Sequence, residues 1–324
     1  PTHIKITMTN LRKAGFRVGA SLLGAAVTEV FACNPTAYML SVTNGLEIWV
    51  SAVVPALFPF FVFSKLLTDL GFFRRFTKFM TPVVKKLFKA PAASGYIFIV
   101  SVISGYPVGA KMIQEYYRKG LLTETQCRKT ATFTSTSGPL FILGTVGAKF
   151  LGGGNIGGVL LVCHIMSAMI CGLLFRGFYI DDTPAGEQLD SAEKGNPLGD
   201  SVYSAITGIM GVGAFICLFY MLIDMILSLS AADAVLSGHP AVSAFLTGLM
   251  EVTRGCKQIS AVLPLPAAAV LCGTLISFGG MCVFAQSFVY LKECGVSFRQ
   301  LLAVKCLQAS VAAALTFAAV SILY

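Results

Sequence analysis

Residues 101–147 read SVISGYPVGAKMIQEYYRKGLLTETQCRKTATFTSTSGPLFILGTVG, and this stretch decides the fold. Two breaks, SGYPVGA at 104–110 and TSTSGPLF at 134–141, interrupt short apolar runs. A membrane-spanning helix needs about 20 residues, so runs of about ten to twelve reach only the midplane. Thr123–Thr136 and Pro139–Leu151 therefore read as half-helices that meet inside a bilayer. Irregular backbone at that depth leaves N–H and C=O groups that lipid cannot satisfy. It is tolerated where it lines a protein-enclosed or watery cavity. Paired broken helices point to the binding site of a transporter.

Composition fixes the class. Hydrophobic residues make up 56% of the 324 residues and charged residues 12%. With a mean hydropathy of +0.78, the chain is a polytopic membrane protein rather than a soluble domain. The net charge of +9 sits in short segments between apolar runs, as the positive-inside rule requires, and nucleic acid is excluded as a partner. The ten cysteines show no CxxC spacing and read as small hydrophobes. The three histidines, His3, His164 and His239, are far apart in sequence, and neither a metal site nor another cofactor is expected.

In order, Val18–Cys33 is a first apolar run with no small-residue cleavage site to make it a removed signal peptide. Asn34-Pro35 and Thr43-Asn44-Gly45 mark a turn region, and Glu47–Leu70 is a span kinked by Pro55 and Pro59. Phe72–Lys89 gathers Arg74, Arg75, Lys78, Lys85, Lys86 and Lys89 within about 120° of a helical wheel, opposite an apolar face. It reads as an interfacial helix on an anionic cytoplasmic leaflet. Ala92–Val102 enters the membrane and Ser104–Gly109 turns it. Basic residues flank both ends, so the segment is expected to be a re-entrant hairpin. Asn155–Phe175 is an uninterrupted span. Asp181–Asp200, with six acids against Lys194, is a solvated linker.

The second half mirrors the first: a span at Ser201–Leu229, a hairpin at Ala241–Lys257 broken near Thr247-Gly248, a span at Leu265–Tyr290 broken at SFGG, and a last span at Leu301–Leu323. Glu115-Tyr-Tyr-Arg-Lys-Gly120 resembles Glu251-Val-Thr-Arg-Gly255, and each precedes a broken span. The expected fold is all-α, with two inverted repeats of re-entrant hairpin and broken helix. The expected units are 1–46, 47–178, an acidic linker at 179–200, and 201–324.

PALFPFF (55–61), SGYPVGAK (104–111), TSGPLFILGTVG (136–147) and ISFGGMCVFAQ (276–286) resemble the Gate, or nucleoside-recognition, membrane family. Within that family they are most similar to the sporulation integral membrane protein YlbJ subgroup. The resemblance implies two inverted repeats and a role in endospore formation. The subgroup is associated with moving dipicolinate across a forespore membrane, so the Gate name does not by itself make nucleoside the substrate.

The expected substrate-binding set is built on the breaks. Gly138 and Pro139 open a half-helix whose N-terminus favours an anionic group. Thr134, Ser135, Thr136 and Ser137 add hydroxyls, which could equally cap the helix. Ser277, Phe278, Gly279 and Gly280 lie opposite by pseudo-symmetry, with Gln286 deeper. Gly105, Tyr106 and Pro107 at the first hairpin turn complete the set. No unpaired basic side chain is expected at that depth. Glu115, Glu251 and Asp224 are the candidates for coupling to a cation or proton. The simpler account is a salt bridge, from Glu115 to the following Arg118 and Lys119 and from Glu251 to Arg254. The expected partners are the bilayer, a small anionic solute and a coupling cation or proton, with a homo-oligomer left open. A nucleoside carrier and a non-transporting spore-envelope scaffold are the alternatives, and an enzyme is not expected.

Overall fold

The structure is a computed structural model that describes residues 21–22, 24–70, 81–181, 196–229, 236 and 238–323. Residues 72–80 of the expected interfacial helix and most of the acidic linker lie outside them. The described residues are all-helical. Among them, four helices are long and apolar enough to cross a membrane, or up to six when each bent pair counts as one span.

Helix α1 (Gly24–Cys33) leads into α2 (Pro35–Ile48). Thr43-Asn44-Gly45 is therefore helical, not a turn. A methyl on Gly45 would sit 3.0 Å from the Cys217 backbone, so this glycine serves close helix packing. A π-wound turn, Trp49–Val53, joins α2 to α3 (Val54–Asp69). This second span bends by 55°. Helix α4 (Thr81–Phe88) stands at 101° to α5 (Ala92–Ser104).

The first hairpin is α5, a turn at 105–107, and α6 (Val108–Arg118). Next comes α7 (Glu124–Thr130), started by a capping box of Thr123 and Gln126. It is shorter than expected, and residues 134–138 run non-helical to Pro139. The hydroxyls of Thr130, Thr132 and Thr134 donate to Gln126 O, Lys129 O and Thr130 O. Such bonds compete with helix geometry, and Pro139 disfavours helix at Gly138. After the break the chain winds as a π-helix over Phe141–Phe150, then crosses as α8 (Ile156–Leu174).

Helix α9 (Pro197–Leu227) begins at an Asn196 cap, before the acidic stretch ends. The second hairpin is α10 (Pro240–Met250) and α11 (Val252–Val262). Its break falls at Glu251, not at Thr247-Gly248, because Gly248 packs directly on Gly255 and Leu275. Helices α12 (Leu265–Phe278) and α13 (Gly280–Leu291) are divided by Gly279, whose φ of +89° is left-handed. α14 (Phe298–Leu323) closes the chain.

Two cores exchange arms between the halves. In one, Ile97 and Ile113 of the first hairpin and Cys127 of α7 pack with Phe284, Leu291 and Leu301 of the second half. In the other, Phe141, Ile142 and Val146 of the π-wound helix pack with Cys256, Ile259 and Leu275. Each core thus joins a hairpin of one half to the later arm of the other half's broken helix.

Candidate functional site

Each hairpin turn abuts a helix break. A side chain on Gly105 would overlap Gly138 N, and Gly105 has a left-handed φ of +79°. On the other side, a side chain on Gly280 would meet Gly248 O, Met250 O and Val252 N, each at 3.2 Å. Only glycine permits either approach. The two turn–break units face a common cleft enclosing about 530 Å³ of empty space, its open mouth included. Its polar lining comes from Tyr106, Ser137, Glu251, Thr253 and Gln286, and its apolar wall includes Val53, Phe141, Val212 and Ile276. A mostly apolar concavity with a few convergent polar groups is the form of a small-molecule site.

Of the expected substrate-binding residues, Tyr106, Ser137, Gly138 and Gln286 line this cleft. Thr136 instead bonds Ser101 Oγ of the first hairpin at 2.9 Å, and Thr134 is turned back on Thr130 O, so one hydroxyl ties the break to the hairpin and the other serves the local backbone. Ser277 is fully buried and engaged by His164. Phe278 is buried beside it. Gly279 and Gly280 provide the kink, Gly105 and Pro107 form the hairpin turn, and Pro139 opens the second arm.

The three acids separate. Glu115 is exposed, and its expected partner Arg118 pairs with Glu293 at 2.7 Å. Asp224 is paired across helices with Arg254 at 2.5 Å, and that guanidinium also lies 5.0 Å from the Tyr220 ring centroid. Glu251 lines the cleft, 2% exposed. Its two carboxylate oxygens accept Thr253 N at 3.1 Å and Arg254 N at 2.7 Å. The expected Glu251–Arg254 salt bridge is thus replaced by a helix cap, because the Arg254 side chain is drawn to Asp224.

Two central residues escape sequence reasoning. His164, 0% exposed on α8, accepts Ser137 N at Nε2 (2.9 Å) and holds Ser277 Oγ at Nδ1 (2.8 Å). An Nε2 that accepts is unprotonated, so Nδ1 carries the proton and donates it to Ser277. The pair resembles a serine–base dyad in distance, but this tautomer cannot take the Ser277 proton. His164 is a brace between the two breaks.

Lys305 on α14 is the second. Its Nζ donates to Tyr106 Oη (3.0 Å), Ser135 O (3.2 Å) and Gln308 Oε1 (3.1 Å). It also lies 4.7 Å from the Tyr106 ring centroid. The expectation of no unpaired basic group at the breaks is overturned, since no carboxylate is among these partners. One lysine in the second turn of an apolar helix looks in sequence like a residue snorkelling to the interface. Its partners lie up to 199 residues away.

Residues 50–154 match the family model described as nucleoside recognition, Gate, a range that takes in the first hairpin and first break. The chain is 28% identical over 321 residues to the sporulation integral membrane protein YlbJ of Bacillus subtilis (strain 168), covering 89% of this chain and 78% of that one. No solved structure matches. With its apolar spans, the chain is an integral membrane protein that carries a Gate-type segment.

Proposed function

We propose that this protein is a carrier of a small, planar, anionic solute acting in endospore formation, with dipicolinate as the candidate substrate. The observation that carries the reading is the shared cleft. Both hairpin turns, the first helix break and the two arms flanking the second break supply its lining, as expected when two inverted repeats build one binding site. Similarity to a protein named for sporulation supports the setting. The description of the matched family as nucleoside recognition supports a neighbouring substrate class. A nucleoside would use the polar lining but gain nothing from a cation behind it.

Of the three candidate acids, Glu251 alone lines the cleft, and coupling to a proton or cation is assigned to it. A carrier, rather than an enzyme, suits a site whose serine–histidine pair is locked in the bracing tautomer. Uptake into proteoliposomes tests the reading. Accumulation of dipicolinate and not uridine is expected. Uridine uptake would move the assignment to a nucleoside carrier, and no uptake of either by folded protein would favour a spore-envelope scaffold.

A further inference from the structure

The chemistry around Lys305 goes further than the shape of the cleft. Tyr106 donates its own proton to Ile276 O at 3.0 Å, so its oxygen meets Lys305 only as an acceptor. Ser135 O is a carbonyl, and Gln308 presents Oε1. Three acceptors demand three N–H donors, which only the ammonium form of lysine has. The cation is 2% exposed. Such a charge is costly without a counter-charge, and the described residues provide none among its partners. A second observation points the same way. Gln308 Nε2, on the same buried amide, has no hydrogen-bond partner, leaving a donor beside the cation. Between Lys305 and the cleft stands Tyr106, which lines one and bonds the other.

We infer that Lys305, with Gln308 Nε2 beside it, is the charge-selecting element of the cleft, taking a carboxylate of the substrate when Tyr106 gives up its place as acceptor. This rests on the carrier reading and deepens it: the substrate class becomes a carboxylate, and neutral analogues of the same shape are rejected. The rejection is asymmetric. A carboxylate satisfies both the ammonium and the orphaned amide, whereas a carboxamide of equal size brings one acceptor and no charge. The Tyr106 hydroxyl keeps the cation satisfied while the site is empty, and its aromatic face adds to that shielding.

The test uses the full chain in detergent and three ligands: pyridine-2,6-dicarboxylate, pyridine-2-carboxylate and the neutral pyridine-2,6-dicarboxamide. Thermal stabilisation is expected to fall in that order, with the diamide near zero. Lys305→Met should weaken dicarboxylate binding by about ten- to a hundredfold, the worth of a hydrogen bond to a charged group, and erase discrimination against the diamide. Should that variant fold poorly, Gln308→Glu supplies an internal counter-charge without removing the lysine. It should melt at or above the wild-type temperature and show the same loss of discrimination. Undiminished preference for the dicarboxylate in either folded variant would overturn the role of Lys305 while leaving the carrier reading intact. Wild-type protein that responds to none of the three ligands would overturn the carrier reading itself.

Discussion

His164 places Nδ1 2.8 Å from Ser277 Oγ, across 113 residues of sequence, while its other nitrogen holds the backbone of Ser137. A single imidazole therefore sets the distance between the first helix break and the second. A shift in either break must be followed by the other, or must cost one of two buried hydrogen bonds. His164→Ala leaves Ser137 N–H and Ser277 Oγ unsatisfied. The expected loss is about 2–6 kcal/mol of stability, taking each of the two buried orphans at about 1–3 kcal/mol. The melting temperature in detergent reads this. A His164→Ala protein as stable as wild type would show that the brace is not a structural element.

Glu251→Gln is expected to abolish concentrative uptake while the protein still folds. The glutamine retains one carbonyl oxygen for the N-terminus of α11, so loss of cap strength is limited to about 1 kcal/mol. Proteoliposome uptake against a proton gradient, set beside the melting curve, separates the two effects. Full concentrative uptake by the variant would remove Glu251 from coupling.

The surface link between the first hairpin and the end of α13 should be sensitive to acid. Glu293 accepts from Arg118 Nε and Nη2 at 2.8 and 2.7 Å and from Gln114 Nε2 at 2.6 Å. Hydrogen bonding to Arg118 holds its carboxyl below the usual carboxylate range. A carboxyl depressed in the folded state stabilises fully above its unfolded value, and that stability is lost as pH falls through the folded value. The melting-temperature gap between wild type and Glu293→Gln should therefore be constant at neutral pH and close below the ordinary carboxylate range. Both partners are exposed, so the gap should be small and shrink with salt. A gap that widens on acidification would contradict the sign.

Topology provides a fourth expectation. Lys86 on α4 and Lys119 after α6 flank the first hairpin. In a cysteine-free background, single cysteines at 86 and 119 should react with an impermeant reagent from the same side. Labelling from opposite sides would turn the hairpin into a full crossing.

What sequence revealed follows from the range of each interaction. The turn at 105–107 and the break before Pro139 are written in neighbouring residues, as glycine, proline and short apolar runs, and both are found. Asp224 has no base near it in sequence, and its partner Arg254 arrives from another helix. Local reasoning failed where a distant partner changed a residue's role. Glu251 was matched to the arginine three places on, yet Asp224 takes that side chain. Thr43-Asn44-Gly45 has turn chemistry, but packing of Gly45 on α9 makes it helix. His164 and Lys305 carry no signal of their own, because both are defined by contacts more than a hundred residues away in at least one direction.

The exchange of arms between the two cores also constrains how the chain is made. Ile97 and Ile113 emerge from the ribosome well before Phe284, Leu291 and Leu301, which cover them. Until then the first hairpin is threaded into lipid with one face unclad, and its turn has no opposite wall. Insertion and compaction are thus separate stages, and the second cannot finish before α13 and α14 arrive. A nascent chain stopped ahead of Gly280 should be inserted but loosely packed throughout, and open to membrane proteases at its N-terminal hairpin as much as at its truncated end.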